Sequence, residues 1–217
     1  MFSLEAFHKT YETDSITLTI GDRPFSFLVP KSIDRFVNRE DVFQGFPLWS
    51  KIWEAAIVLS EYLSALAVRP ERRFLEIGCG MGISGIVAAA FGHRVTMTEY
   101  NADALDFARA NALLNGLSES NIEIHELDWH RPRLEGRFDV IIGSEVVYSP
   151  RDYAPLLNLF TTYLKPGGEI ILAEGLRKAS MEFFGRMSKH YDISARKKIL
   201  RSQSEETRVL LGRMRPK

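Results

Sequence analysis

The chain has 217 residues, 45% of them hydrophobic, with 28 basic and 28 acidic side chains and a formal net charge of zero. That length suits one domain with at most a small appendage, and the composition is globular rather than disordered. Balanced charge argues against a general polyanion binder, no apolar run is long enough to cross a bilayer, and Met1 to His8 lack the basic start and apolar core of a signal peptide. The single cysteine, Cys79, cannot close an internal disulfide, which points to a reducing, cytoplasmic setting. It falls in a glycine-dense turn and reads as a small packed side chain rather than a nucleophile, because no motif pairs it with a histidine.

Residues 1–40 form a predicted extension ahead of a main domain, 41–217. Ser15-Ile16-Thr17-Leu18-Thr19-Ile20 and Phe25-Ser26-Phe27-Leu28-Val29 alternate about Gly21-Asp22-Arg23-Pro24, the pattern of a β-hairpin. After Gly45-Phe46-Pro47-Leu48-Trp49-Ser50-Lys51-Ile52-Trp53, residues 54–63 have helical spacing and good helix formers. Trp49 and Trp53, four apart, are expected to share a helix face. They read either as core anchors or with one of them against a flat ligand. From residue 74 strands and helices alternate: strand 74–77, helix 83–91, strand 94–98, helix 102–115 closed by Gly116, strands 122–126 and 138–142, helix 153–164 and strand 169–173. Such alternation predicts an α/β protein with a parallel, doubly wound sheet. Residues 192–200 and 207–214 read as two closing strands, a hairpin. Basic residues outnumber acids from Arg186 to Lys217. This excess reads as a solvated face rather than a nucleic-acid patch.

In such sheets ligands bind beyond the carboxyl ends of the strands. The residues there are 76–82, 99–101, Asp128-Trp129 and 144–148: glycines, acids and aromatics, with no Lys or Arg. Gly80-Met81-Gly82-Ile83-Ser84-Gly85 satisfies the dinucleotide fingerprint, and Glu99 ends the second strand where a ribose-binding acid is expected. An NAD-binding protein is therefore one reading. Against it, Glu76 directly before the glycines would repel a pyrophosphate but suit a cationic sulfonium ligand bearing an amino group. Asp128 and Trp129 offer a carboxylate and an indole to an adenine. His125 and His130 lack metal-ligand spacing, so no metal is expected.

Leu75-Glu76-Ile77-Gly78-Cys79-Gly80-Met81-Gly82 resembles the first motif of class I S-adenosylmethionine-dependent methyltransferases, and Leu164-Lys165-Pro166-Gly167-Gly168 resembles the turn before their fifth strand. Three further stretches are similar to the methyltransferase-like (family sixteen) protein-lysine methyltransferases. They are the W-x-x-x-x-x-L segment beginning at Trp53, Leu127-Asp128-Trp129, and Phe138-Asp139-Val140-Ile141-Ile142-Gly143-Ser144-Glu145-Val146-Val147-Tyr148. The resemblance covers about residues 40 to 175. It implies a seven-stranded, mostly parallel, doubly wound sheet, the Rossmann-like methyltransferase fold, with an antiparallel C-terminal strand, to which the small N-terminal β-hairpin is an extension.

It also implies S-adenosylmethionine as cofactor, S-adenosylhomocysteine as product, and N-methylation of a lysine on a protein substrate. Gly78, Cys79 and Gly80 would wrap the methionine part, with Gly82 beside them, and Glu76 would face its amino group. Glu99 would hold the ribose hydroxyls, Asp128 and Trp129 would flank the adenine, and Tyr100 would cap the ligand or the core. Trp53 and Ser144 would line the sulfonium end. Glu145 and Tyr148 are the catalytic candidates. A carboxylate favours the ammonium form of a neighbouring amine, so Glu145 is assigned to orienting the amine and Tyr148 to shaping its channel. Glu145 stands where the family usually has Asp, and Trp53-Glu54 where it commonly has Trp-Pro; these departures bear on the methyl acceptor. An RNA or a small-molecule methyltransferase is the alternative, the former weakened because 144–148 lack the Pro-Pro of enzymes that methylate base amines. Neither membrane nor nucleic acid is expected as a partner, and the chain is expected to be a monomer or weak oligomer.

Overall fold

A computed structural model describes residues 2–37, 46–118, 122–201 and 206–217. The chain opens with a short helix, α1 (Leu4–Thr10), then an antiparallel pair, β1 (Thr13–Ile20) and β2 (Arg23–Pro30). Gly21 and Asp22 both take left-handed φ at the hairpin turn, which matches the twist of the flanking strands. The sequence reading missed α1. Its helix is only two turns long and gains little from propensity alone. It is held by Phe7, whose ring lies 4.9 Å from that of Phe107.

The alternating segments build α2 (Glu54–Ser64), β3 (Arg73–Ile77), α3 (Ile83–Ala90), β4 (Arg94–Glu99), α4 (Ala102–Leu114), β5 (Ile122–Glu126), β6 (Phe138–Ser144), α5 (Tyr153–Tyr163), β7 (Leu164–Gly175), α6 (Lys178–Met187), β8 (Tyr191–Arg201) and β9 (Glu206–Pro216). The seven strands β3 to β9 form one sheet in the order β5-β4-β3-β6-β7-β9-β8. β9 is antiparallel to both β7 and β8 and so runs against the other six. The expected sheet and its antiparallel C-terminal strand are both present.

Period-two alternation decides which face each residue serves. Phe74, Val140 and Ile142 pack with Leu59, Leu63 and Val87 of α2 and α3. Leu75, Ile77, Ile141 and Ile170 pack on the other face with Leu156 and Phe160 of α5 and Phe183 of α6. The central strands are buried on both faces, as parallel strands covered by helices must be. The hairpin stands outside this sheet and is tied to α4 by two asparagines. Leu28 N–H donates to Asn111 Oδ1 (2.7 Å) and Asn111 Nδ2 returns a bond to Leu28 O (3.2 Å). Asn115 makes the same pair of bonds with Ser26. Part of the C-terminal basic excess is internal to the fold, since Arg213 and Arg215 share Glu169 with Arg72.

Two expectations change. Trp49 and Trp53 do not share a helix face. Trp49 lies in a single 3-10 turn, Leu48–Ser50, and Trp53 is the extended N-cap of α2 (φ −89°, ψ 145°). Its indole Nε1 donates to Leu48 O at 2.8 Å, which folds the two tryptophans into one loop. β7 starts at Leu164 and continues to Gly175, bringing Glu174 to the carboxyl end of the sheet. The boundary drawn after residue 40 lies outside the described residues.

Candidate active site

A cavity of about 520 Å³ opens at the carboxyl ends of β3, β4, β5 and β6. Its wall includes Gly78, Cys79 and Gly80 after β3, Glu99 and Tyr100 at the end of β4, Asp128 and Trp129 after β5, and Ser144, Glu145 and Tyr148 at the end of β6. Trp53 also lines it, with Trp49, Phe46 and Lys51 from the segment before α2.

The glycine turn meets this cavity with its backbone. Gly78 has φ +60°, and a Cβ there would lie 3.1 Å from Trp129 Cζ2 and 3.3 Å from Val146 Cγ1. The missing side chain is what allows the turn to close against the indole. Gly80 N–H donates to Glu99 Oε2 (2.9 Å), while Tyr100 N–H (2.8 Å) and Asn101 N–H (3.1 Å) donate to Oε1. Three backbone donors therefore fix one carboxylate on the cavity wall. Asp128 Oδ1 accepts from His130 N–H at 2.8 Å, which sets the turn that presents Trp129.

Two of the predicted residues do not line the cavity. Glu76 is buried under α3, where it accepts the Gly85 N–H and leaves Oε2 without a partner. Burial pushes its carboxyl up to about 8. The reason is register: Glu76 shares the α3-facing side of β3 with Phe74, and Ile77 separates it from the turn, so closeness to the glycines does not aim it at a ligand. A Cβ on Gly85 would lie 2.3 Å from Glu76 Oε2, so Gly85 serves helix–strand packing. Gly82 is the left-handed N-cap of α3 (φ +88°) and faces Ile86, Met97 and Ala108 rather than the cavity.

The β6 end is built differently. Glu145 has φ +51°, unusual for a residue with a Cβ. Its N–H continues the sheet to Ala173 O (2.9 Å), and its Oε1 accepts from Gly175 N–H (2.8 Å). The other oxygen is ion-paired with Arg177, whose guanidinium also reaches Glu174 Oε2 at 3.5 Å and lies 5.3 Å from the ring centroid of Tyr148. Glu174 is fully buried and accepts from Val146 N–H (2.9 Å) and Val147 N–H (3.4 Å). Burial, then the neighbouring Glu145, push the Glu174 carboxyl up. Burial also raises the Tyr148 hydroxyl.

Glu174, Arg177 and Lys51 were not among the predicted residues. A signal existed for the first: Glu174 closes an apolar strand run just as Glu76 does. The strand ends named from the sequence carry no Lys or Arg, but two cations come from elsewhere: Lys51 lines the cavity, with its Nζ 4.6 Å from the Trp53 ring centroid, and Arg177 holds Glu145.

Known structures share the fold. A methyltransferase from Agrobacterium tumefaciens described as SAM-dependent matches with a TM-score of 0.65 at 20% identity, over 94% of this chain and 71% of that one, which establishes a methyltransferase fold. The chain belongs to the lysine methyltransferase family, whose model matches residues 39–190. It is an enzyme that uses S-adenosylmethionine. Protein N-lysine methyltransferase METTL21A from Xenopus tropicalis is 30% identical over 148 residues, 66% of this chain and 68% of that protein. The histidine protein methyltransferase 1 homolog of Dictyostelium discoideum is 28% identical over 149 residues, and the match spans about half of that relative (48%).

Proposed function

We propose that the cavity holds S-adenosylmethionine and that the methyl acceptor is a lysine side chain of a protein, entering at the Glu145–Tyr148 end. The observation that carries this reading is Glu99. A carboxylate fixed by three N–H donors suits a ribose diol, and Lys51 is the single Lys or Arg on the wall among the described residues, which suits a cationic ligand better than a polyphosphate. In this reading Gly78, Cys79 and Gly80 hold the methionine part, Asp128 and Trp129 the adenine, and Trp53 and Ser144 the sulfonium end, with Tyr100 over the mouth. Glu76 and Gly82 shape the turn from behind.

When bound, the cofactor supplies a methyl group on a positively charged sulfur, which departs as a neutral thioether when a nitrogen lone pair takes the methyl. The chain's contribution is mainly positioning. A lysine attacks only as the neutral amine, and with an ordinary pKa of about 10.4 its deprotonation near pH 7 costs about 4–5 kcal/mol. Glu145 accepts an amine N–H and orients the lone pair; Tyr148 and Trp53 exclude water. Residues 1–40 act as an extension and 41–217 as the methyltransferase domain, working in the reducing cytoplasm as a monomer or weak oligomer, without nucleic acid.

The test is incubation of the purified protein with labelled S-adenosylmethionine and fractionated cell extract, followed by mass spectrometry of whatever is labelled. Methyl-lysine on protein is the expected result; label confined to RNA or to metabolites overturns the reading. Glu145→Gln should lower methyl transfer far more than affinity for S-adenosylmethionine, and equal loss of both would remove the orienting role.

A further inference from the structure

Arg177 precedes α6 and lies behind Glu145, off the cavity wall. Its guanidinium joins three groups from different parts of the chain: the Glu145 carboxylate after β6, the buried Glu174 at the end of β7, and the face of Tyr148. The loop that carries Glu145 is strained, with a left-handed non-glycine residue that costs on the order of 1–3 kcal/mol. Glu174 stabilises that loop by accepting the next two N–H groups. The fold thus sustains a local cost to keep one carboxylate on the cavity wall with a cation directly behind it.

We propose that Arg177 is a positioning residue for methyl transfer: by neutralising Glu145 it lets this carboxylate orient the acceptor lysine through a hydrogen bond without holding it as an ammonium ion. The inference rests on the reading of the Glu145–Tyr148 end as the acceptor site. A carboxylate has about four acceptor positions; Gly175 N–H and Arg177 use two, and the remainder can take an amine N–H. An unneutralised carboxylate beside the acceptor would raise its pKa by on the order of 1–3 units, which works against forming the nucleophile. A guanidinium on the far side of the same carboxylate opposes that shift. The acceptor's proton leaves to solvent before the nitrogen lone pair takes the methyl.

The other charged groups around this cluster leave the guanidinium to Glu145. Glu174 is raised toward its protonated, neutral form, and Tyr148 stays a neutral phenol. Asp152, at the start of the α5 segment, accepts the N–H groups of Tyr148 (3.2 Å) and Ser149 (2.8 Å). Glu99 is bound by its own three N–H donors. Arg208 on β9, whose carbonyl accepts from Leu176 N–H, pairs through its side chain with Glu206.

The experiment is the pH profile of kcat at saturating substrate for lysine methylation by wild type, R177Q, R177K and the double variant E145Q/R177Q, with S-adenosylhomocysteine affinity measured by calorimetry on each. R177Q should move the profile alkaline by about one unit, a rate loss of about tenfold at pH 7 that narrows only above about pH 10 and closes above about pH 11, once both acceptor amines are neutral. R177K should keep the wild-type profile, and the double variant should return it to the wild-type position because charge and countercharge leave together. S-adenosylhomocysteine affinity should change by less than about threefold throughout, a shift well under 1 kcal/mol. An R177Q profile still lowered tenfold above about pH 11, where both acceptor amines are neutral, overturns the inference, as does faster turnover at neutral pH, which would make Arg177 an obstruction. Should R177Q fail to fold, E145Q decides the matter: its unpaired Arg177 should move the profile acid, and an unmoved profile overturns the inference. Absence of methyl-lysine with wild type overturns the proposed function as well. Methyl-lysine with an unmoved R177Q profile overturns the role of Arg177 alone.

Discussion

On the β3 and β4 side the cavity wall is backbone. Gly78 and Gly80 bring main chain up to the space, and the fixed carboxylate there, Glu99, is held entirely by N–H groups. On the β6 and β7 side the wall is a charged side chain, Glu145, supported by Arg177 and a buried carboxyl beneath. Each side also buries an acid at a strand end: Glu76 under α3 with one oxygen unpartnered, and Glu174 with two N–H donors and a cation. The difference teaches how the two sides tolerate change. A backbone surface is set by close packing and accepts almost no added atoms. A side-chain cluster can shift a rotamer and be retuned, which suits the end of the site that faces a variable acceptor.

The comparison is broken most severely at the glycines. Gly85→Val places new carbon against Glu76 Oε2 and Met97 Sδ, 2.3 and 2.4 Å from an ideal Cβ. It should cost about 4 kcal/mol or more in urea unfolding, enough to lose most of the folded protein. Gly175→Ala on the other side meets Glu145 Oε1 at 3.0 Å, a side-chain atom able to move, with Arg177 Nε at an ordinary 3.7 Å, and should cost about 1 kcal/mol or less.

The next largest effect concerns pH. The Glu76 carboxyl sits at about 8 in the folded chain against an ordinary 4.5, so the folded state holds this proton more tightly than the unfolded one. Its contribution is complete below about 4.5 and is lost as pH rises toward 8. Glu76→Gln should remove about 4 kcal/mol of the fall in stability between pH 5 and pH 9, measured by urea unfolding across that range. An unchanged slope would mean that the orphaned oxygen is solvated.

The ligand-binding contrast is smaller but more direct. Glu99→Ala strips three N–H groups of their acceptor and should weaken S-adenosylhomocysteine binding by about thirtyfold, near 2 kcal/mol, in calorimetry. Glu145→Gln should change the same affinity by less than about threefold, under 1 kcal/mol. Comparable losses would erase the division of labour. Smallest of all, Tyr148→Phe keeps the ring under Arg177 and should lower turnover only by about twofold, whereas Tyr148→Ala, which removes the ring, should lower it by about tenfold in the same assay, close to 1.4 kcal/mol.

Much of the frame was legible because its signals are local. Apolar runs of strand length, helical spacing between them, and turns at Gly116 and Gly167-Gly168 define β3 to β9 and α2 to α5 to within a few residues. Strand ends then point to the cavity, and Gly78, Gly80, Glu99, Asp128, Trp129, Ser144 and Glu145 all line it. The failures are non-local. α1 exists because Phe7 finds Phe107 a hundred residues later. Trp53 leaves the helical pattern because its indole closes on Leu48 O.

By itself, then, the sequence determined the class of sheet, the end of it that binds a ligand, and the family. Periodicity and turn chemistry act between residues close along the chain, and they report burial faithfully. Only the tertiary structure decided where the acids point. Glu76 lies one residue before the end of β3 and Glu99 ends β4, yet one turns beneath α3 and the other onto the cavity, according to which face each occupies and which N–H groups lie there. Glu145 likewise becomes half of an ion pair only because β7 lies beside β6 and brings Gly175 and Arg177 to it from some thirty residues away. A carboxylate's direction is set by the donors and cations that surround it in space, and spacing along the chain does not encode them.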